Sequence, residues 1–382
     1  MPFQVHPRAD RVDDAVRDRI LADPGFGDHF TDHMVTMWWR DGAWGPVEVV
    51  PFGPLTISPA AMGIHYGQSV FEGLKVYARA DGSQALFRVE RNAERMQRSA
   101  RRLAMPEPPI EAFVGGCALL AAVDRAWIPT GYGTSLYLRP YLFATEENLG
   151  VRPAEEYVFG VVACPAAPIF SVDPVPVSIR VELEDVRAVV GGTGEAKFAG
   201  NYAAALRGHM KAKEAGFSQV LWLDAKEHRW IEELNGMNIF FVWDDGGRTR
   251  VTTPPLAGTI LHGVTRDAVL TVAADLADEV TEEPVTIDDV RDGCASGRLR
   301  EVFACGTAAV IAPIGRMVAG DDEIVVAGAQ AGDLTLRLRS TLLDLQHGRQ
   351  PDRWGWMRTL DDILDDLGVA GLVPAAEPSL AR

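Results

Sequence analysis

A single lysine, Lys197, stands among four glycines in GGTGEAKFAGNY, residues 191–202. Two chemistries use a lysine in such a setting: gripping a nucleotide phosphate, or presenting a reactive amine. A phosphate-gripping P-loop requires four residues between its glycines and then Gly-Lys-Ser/Thr, whose hydroxyl goes to magnesium. Here Ala196 precedes the lysine and Phe198 follows it, so both flanking requirements fail. A dinucleotide fingerprint needs a buried strand before its glycines and an acid about 20 residues beyond them. Glu214 falls near that distance, but VELEDVRAVV upstream is not a clean apolar strand. A reactive amine and an ordinary solvated lysine on a flexible loop remain, and composition leaves both open.

The elements that would position such an amine follow from pattern. With 382 residues and 47% hydrophobic content, the chain can bury a large core and divide into two domains. A formal net charge of -16 argues against wrapping a nucleic acid, which needs a basic face. The start MPFQVHPRADRVDD lacks a basic-then-apolar leader, and no apolar run approaches the roughly 20 residues that span a bilayer, so a cytoplasmic protein without membrane contact is expected. Cys117, Cys164, Cys294 and Cys305 are scattered and read as reduced thiols. His29 and His33 have a metal-compatible i, i+4 interval but no neighbouring Glu, and no metal site is expected.

In the first half, VYARADGSQALFRVE predicts a hairpin about Asp81-Gly82-Ser83. Helices are predicted over 92–105, with Met96, Ala100 and Leu103 along one face, and over 111–127. The strands SLYLRPYLFA and YVFGVVAC follow. PAAPIFSVDPVPV, 165–177, holds four prolines and predicts an irregular connection. The expected division is a smaller N-terminal α/β domain over 1–166, an interdomain loop over 167–177, a larger domain over 178–357 and a tail helix within 358–382. In the larger domain the glycine-lysine loop feeds a helix from about Tyr202 to Ala215, followed by the strands QVLWLD and MNIFFVW. An amphipathic helix over 263–278 has a first turn suited to an anion. EVFACGTAAVIAPI, 301–314, reads as strand, turn, strand, and TLDDILDDLGVAGL as a docking helix.

If Lys197 holds pyridoxal 5'-phosphate as a Schiff base, the cofactor makes further demands: a carboxylate for the pyridine nitrogen, a cation and backbone donors for the phosphate, and a donor to the phenolic oxygen. Glu233 in IEELNGMN could be that carboxylate, keeping the ring cationic. Val264 and Thr265 at a helix start, and Thr307 after Gly306, could hold the phosphate. Each has a plain alternative as a solvated carboxylate or an ordinary turn.

GGTGEAKFAGNYAAAL, QVLWLDAKEHRWIEELNGMN, TPPLAGTILHGVTR and REVFACGTAAV resemble the large domain of the branched-chain amino-acid aminotransferases. HFTDHMVTMWW, IHYGQSVFEGLKVY, LFRVERNAERMQRSARRL and SLYLRPYLFATEENLGV resemble the same family's small domain, in the same order. The resemblance implies a pyridoxal-phosphate enzyme of fold type IV: a smaller α/β domain, a larger pseudo-barrel α/β domain, and a homodimer with its site at the domain junction. It implies Lys197 as the Schiff-base lysine, Tyr202 as donor to the phenolic oxygen, Glu233 at the pyridine nitrogen, and Arg88 as the phosphate cation with Val264, Thr265 and Thr307. Phe30, Phe71, Tyr137 and Gly236 would line the side-chain pocket. Ala308, with Thr307, would offer backbone donors to the substrate carboxylate. Arg139 and Tyr66 would handle the distal carboxylate of glutamate, with Tyr66 and Val151 reaching in from the partner subunit. The implied reaction moves the amino group of leucine, isoleucine or valine to 2-oxoglutarate, giving branched 2-oxo acids and glutamate.

Three departures bear on this. Ile169 and Val172-Asp173 stand where related bacterial enzymes carry a tyrosine and a Gly-Gly pair. Ala309 and Ala312 replace the redox Cys-x-x-Cys of animal members. The acidic tail after Met357 has no counterpart. A specialised transaminase for an unusual amino acid is the alternative that the altered loop supports. A D-amino-acid transaminase or an aminodeoxychorismate lyase shares the lysine, but these are usually shorter and lack FTDHM and GTSLYLRP. A catalytically silent binding protein is opposed by Lys197, Glu233 and Arg88 occurring together.

Overall fold

The computed structural model describes residues 1–168 and 174–374. Ile169, Val172 and Asp173, which carry the altered-loop expectation, lie outside the described residues. By its internal contacts the chain divides into two compact units: Met1–Ala167 with Gln346–Arg382, and Pro168–Leu345. Both mix helices with a sheet, the α/β content expected of the sequence.

In the first unit the strands are β1 (Phe3–Val5), β2 (His33–Arg40), β3 (Ala43–Trp44), β4 (Val47–Pro51), β5 (Ser69–Phe71), β6 (Leu74–Ala78), β7 (Gln84–Phe87), β8 (Ser135–Ala144) and β9 (Tyr157–Ala166). With the late strand Met357–Thr359 they form one sheet in the order β1-β4-β2-β9-β8-β6-β7 and then 357–359, β3 pairing with β2 and β5 with β8. β8 and β9 pair antiparallel over their whole lengths, Ser135 opposite Ala166 and Ala144 opposite Tyr157. β9 is buried on both faces, so it reads as a continuous apolar run. From Leu138 onward β8 alternates buried and half-buried positions. That period of two puts Tyr137 and Arg139 on one face.

Four helices belong to this unit's first stretch: α1 (Asp14–Ala22), α2 (Met62–Tyr66), α3 (Val89–Arg102) and α4 (Ile110–Val123). α4 is buried from Ala112 to Val123, as a helix apolar on every side must be. A Cβ on its Gly115 would lie 2.6 Å from the Phe3 ring and 2.8 Å from Leu367, so the glycine lets the helix approach both neighbours. α3 begins three residues before the expected Asn92, because Arg88 turns directly out of β7 in the left-handed region at φ 51°. Its Val89, Ala93, Met96 and Ala100 are buried, one stripe at helical spacing.

A buried ionic group locks α3 to the sheet. Arg95 Nε and Nη2 donate to the two Glu72 oxygens at 2.7 and 2.8 Å, and Asn92 Nδ2 donates to Glu72 at 2.8 Å. Glu72 is fully buried between Phe71 and Gly73, so this pair sets the path of the chain next to a candidate pocket residue.

The second unit holds β10 (Val177–Val181), β11 (Gln219–Leu223), β12 (Ile231–Leu234), β13 (Asn238–Asp244), β14 (Thr249–Thr253), β15 (Glu279–Glu282), β16 (Leu299–Gly306), β17 (Val310–Ala319) and β18 (Asp322–Val325). Their order is β12-β11-β10-β17-β16-β13-β14-β15, with β18 on β17. β10 runs parallel to both β11 and β17, and α5 (Ala199–Glu214) lies between β10 and β11 in the chain. A parallel pair needs such a crossover. α6 (Val264–Ala273), α7 (Ile287–Ser296) and α8 (Asp333–Gln346) complete the unit. Thr286 and Asp289 form a reciprocal capping box at the start of α7.

After α8 the chain rejoins the first unit, so the limit expected at 357 stands at 345. The reason is local bonding: Gly133 N–H donates to His347 Nε2 at 2.9 Å, and Ala80 N–H to His347 O at 2.8 Å. The helix Leu360–Asp366 is capped by Thr359 and packs Leu360, Ile363 and Leu364 into the first unit's core. Among the described residues no helix is long and apolar enough to cross a membrane. No group of three His, Cys, Asp or Glu among them could hold a metal ion. His33 instead pairs through Nδ1 with Asp124 at 2.6 Å and accepts the Arg8 N–H at Nε2.

Replacing Arg95 with Met would take the bidentate cation away from the buried Glu72 carboxylate. Loss of one partner of such a pair costs about 3–5 kcal/mol, so R95M should lower the thermal midpoint clearly, and E72M/R95M should recover part of the loss. Equal midpoints for R95M and wild type in calorimetry would contradict the role given to this pair.

Candidate active site

Lys197 lies in the loop 191–198 that enters α5, and the helix begins early enough to put Tyr202 in its first turn. The amine donates to the Tyr202 hydroxyl at 2.9 Å. Asn201 holds the loop in shape: its Nδ2 donates to Thr193 O at 2.8 Å and Ala196 O at 2.9 Å, while Thr193 Oγ1 donates to Asn201 Oδ1 at 2.7 Å. Gly194 lets the loop lie against the segment around residue 259, where a Cβ would come within 2.4 Å of Thr259 O. Gly194 therefore serves a close approach of two backbones.

Glu233 projects from β12 into a pocket that Arg187, Gly194, Ala196, Asn201, Tyr202, Asn235, Gly236 and Leu261 also line. Arg187 Nη2 stands 2.9 Å from Glu233 Oε1, and both side chains are buried. Asn238 Nδ2 donates to Glu233 Oε2 at 3.1 Å, and Arg187 Nη2 also donates to Thr259 O. Burial pushes the Glu233 carboxyl up to about 7, against the opposing pull of Arg187, the Leu261 N–H and Lys197. Its neighbour Glu232 is also raised, first by burial, while a bond to Thr259 lowers it. Two adjacent buried carboxylates thus lie near one arginine.

Val264 and Thr265 open α6, whose N-terminus has no side-chain cap. The positive end of the helix dipole is a natural seat for a phosphate or carboxylate. Gly263 precedes it, and a Cβ there would lie 2.1 Å from Asn238 Oδ1, so Asn238 ties this helix start to Glu233. Thr307 and Ala308 sit in the three-residue turn between β16 and β17, where Gly306 pairs with Val310. Gly306 abuts Gly236: its Cβ would stand 3.3 Å from Gly236 O. Gly236 itself has φ 85° in the Asn235-Gly236 turn joining β12 to β13. The turn 307–309 ends on Val310 at φ 60°, a strained setting for a β-branched residue. Arg339, buried, donates from Nη1 to Ala309 O at 2.8 Å and Ile311 O at 2.7 Å, bracketing that residue.

In the first unit a second group forms. Arg139 Nη2 donates to the Tyr137 hydroxyl at 3.0 Å, and its guanidinium lies 4.9 Å from the Phe71 ring centroid and 5.3 Å from that of Tyr137. Gly73 makes room for the Tyr137 hydroxyl, which a Cβ would meet at 2.0 Å. Phe26 meets Tyr137 edge to face at 5.0 Å. Phe30 instead stacks on Phe52 at 4.9 Å. Tyr66 donates to Leu149 O, and Tyr66, Leu149 and Val151 are exposed apolar residues. Arg88 is buried at the end of β7 with its guanidinium 4.8 Å from the Trp356 ring.

Lys197, Tyr202, Glu233 and Gly236 of the sequence expectations thus belong to one neighbourhood of the second unit, with Val264 and Thr265 linked through Asn238, and Thr307 and Ala308 through Gly306. Arg187, Asn201, Asn238 and Phe26 were not foreseen. Arg187 lies in a stretch without strand or helix period, where no local signal marks a buried cation. Asn201 was visible within GNY, but its bonds run backward to the loop and are a tertiary fact.

A family model for amino-transferase class IV matches residues 69–317. A probable branched-chain-amino-acid aminotransferase of Streptomyces coelicolor is 50% identical over 360 residues, covering 94% of this chain and 98% of that protein. The branched-chain-amino-acid aminotransferase of Mycolicibacterium smegmatis is 47% identical over 363 residues, with 94% and 99% covered. The crystal structure of the T.th. branched-chain amino acid aminotransferase, complexed with N-(5'-phosphopyridoxyl)-L-glutamate, superposes with TM-score 0.68 at 28% identity, covering 85% of this chain and 98% of that one. The Escherichia coli branched-chain amino acid aminotransferase gives TM-score 0.70 at 26% identity, with 85% and 99% covered.

Removing the Arg187 charge should drive the Glu233 carboxyl further above about 7, since a nearby cation favours the ionised form. Infrared titration of the carboxyl band in R187Q against wild type, with E233Q to assign the band, checks this. An unshifted midpoint would sink the pairing.

Proposed function

From its membership of the class IV aminotransferases, the family to which this chain belongs, we propose that it transfers the amino group of leucine, isoleucine or valine to 2-oxoglutarate, using pyridoxal 5'-phosphate held by the residues of the candidate site. The observation that carries this reading is the amine–phenol pair of Lys197 and Tyr202 beside the buried Glu233.

The donor set fits the cofactor. An amine is present for its aldehyde, a buried carboxylate for its ring nitrogen, and a helix start for its phosphate. When bound, the cofactor supplies an aldehyde that takes up amines and a ring that withdraws electron density from the substrate Cα. Glu233, backed by Arg187, would keep a proton on the ring nitrogen and so strengthen that withdrawal. Tyr202 would donate its hydroxyl hydrogen to the phenolic oxygen. Val264, Thr265 and Thr307 would bind the phosphate through N–H and hydroxyl groups, and Arg88 would supply the cation.

Lys197 would take the proton from Cα as a general base and return it as a general acid to the cofactor's carbon. Its hydrogen bond to Tyr202 keeps the amine directed while it waits. Phe71, Tyr137, Phe30 and Gly236 would form apolar walls for a branched side chain, with Thr307 and Ala308 donating to the substrate carboxylate. Arg139, fixed by Tyr137 and stacked on Phe71, would answer the second carboxylate of glutamate at the edge of those walls. The exposed Tyr66 and Val151 would serve the site of a second copy in a homodimer.

K197A is expected to lose at least roughly 10²–10⁴-fold in kcat, the range for removal of a general acid–base group, with the thermal midpoint near wild type. Turnover close to wild type would refute the assignment. R139A should lower kcat/KM for glutamate by about 1.5–3 kcal/mol, the span for hydrogen bonds to charged groups, while leucine changes far less. Equal losses in the two half-reactions would remove that role from Arg139.

A further inference from the structure

Arg88 sits in an unusual frame. Its backbone is left-handed at φ 51° and ψ 41°, which costs a residue with a Cβ on the order of 1–3 kcal/mol. Something must hold it there. The strand Met357–Thr359 pairs antiparallel with β7, Met357 opposite Phe87, so Trp356 comes opposite Arg88. The Arg88 N–H donates to Trp356 O at 2.7 Å, and the guanidinium lies over the indole at 4.8 Å. The indole is itself fixed on several sides. It stacks on Trp354 at 4.6 Å and 12°, and meets Phe87 edge-on at 5.8 Å. Trp354 in turn carries Arg353 at 4.2 Å from its ring centroid. Asp352 accepts the N–H groups of Trp354 and Met357, and Gly355 turns the backbone between the two indoles at φ 65°.

We infer that Trp356 is a positioning residue: its ring and carbonyl set the orientation of the Arg88 guanidinium, and thereby the strength with which this cation grips a phosphate monoester. The inference rests on the reading of Arg88 as the cofactor's phosphate cation. Stacking occupies the flat face of a guanidinium and leaves its N–H edges in the plane, where bidentate phosphate bonds form. A ring that holds the guanidinium at one place, 4.8 Å from its centroid, spares Arg88 rotamer freedom it would otherwise lose on binding. The segment DRWGWM, far from every other candidate residue in sequence, thereby acquires a part in cofactor retention.

The test is titration of cofactor-depleted protein with pyridoxal 5'-phosphate and, separately, with pyridoxal, which lacks the phosphate. W356L and W356Q should weaken binding of the phosphate form by roughly 5- to 30-fold, the range of a desolvated cation–π contact. W356F should stay within about threefold of wild type, since it keeps a ring face. Pyridoxal should bind all of them alike, a result that a general structural defect would not give. R88Q must also weaken the phosphate form; if it does not, the reading of Arg88 fails. If R88Q weakens it and the ring-less Trp356 variants do not, or if they weaken pyridoxal equally, the positioning role of Trp356 is overturned. Failure of both ring-less variants to fold would likewise overturn it, since the indole would then be a support of the strand pair.

Discussion

The ion pair of Arg187 and Glu233 is the constraint on which the pocket of the second unit depends. Burial opposes the carboxylate charge strongly enough to raise its titration to about 7, while a cation at 2.9 Å, the Asn238 amide, the Leu261 N–H and Lys197 pull the other way. A buried pair of this kind contributes little to stability by itself, because desolvation offsets most of the attraction. Its value lies in holding one charge at one place. The same Asn238 reaches Leu261 O at 3.1 Å and presses against Gly263, so the carboxylate, the loop before α6 and the helix start are tied together through one amide.

In each unit the chain accepts backbone strain at a residue that carries a Cβ. Val310 closes the turn 307–309 at φ 60°, and Arg88 ends β7 at φ 51°. Residues with a Cβ hold such angles only when their surroundings over-determine them. In each case the surroundings are visible: Arg339 binds the carbonyls on both sides of Val310, and Trp356 receives the Arg88 N–H. Two arginines thus enter differently: Arg339 clamps the backbone on both sides of a strained residue, and Arg88 is itself the strained residue, its guanidinium over an indole. Glycines do the complementary work at Gly194 and Gly73, where the room for a backbone or a tyrosine hydroxyl is smaller than a methyl group.

Several elements are legible in the sequence alone. The Asp81-Gly82-Ser83 turn joins β6 to β7, SLYLRPYLFA is β8, and the apolar helix over 111–127 is α4 within four residues at its end. These rest on short-range rules of period and turn chemistry, which depend on neighbours along the chain. The early start of α3 was hidden, because a left-handed arginine has no sequence signature. So was the return of residues 346–366 to the first unit, which is made by His347, Met357 and Leu360 meeting partners more than 200 positions away.

The sequence by itself determined the kind of chemistry: an amine in a glycine-rich loop, a carboxylate on a later strand, a helix start and a Gly-Thr turn, in an order that matches one family along most of the chain. Only the tertiary structure decided which groups make that chemistry workable. The bond from Lys197 to Tyr202 depends on where α5 begins, the charge of Glu233 on Arg187 arriving from 46 residues upstream, and the placement of the Arg88 guanidinium on an indole from the far end of the chain. The physical reason is range. Helix and strand periods, and the residue types a reaction requires, are properties of neighbouring residues, whereas burial, ionisation and orientation depend on whichever distant side chains the fold brings within a few ångströms.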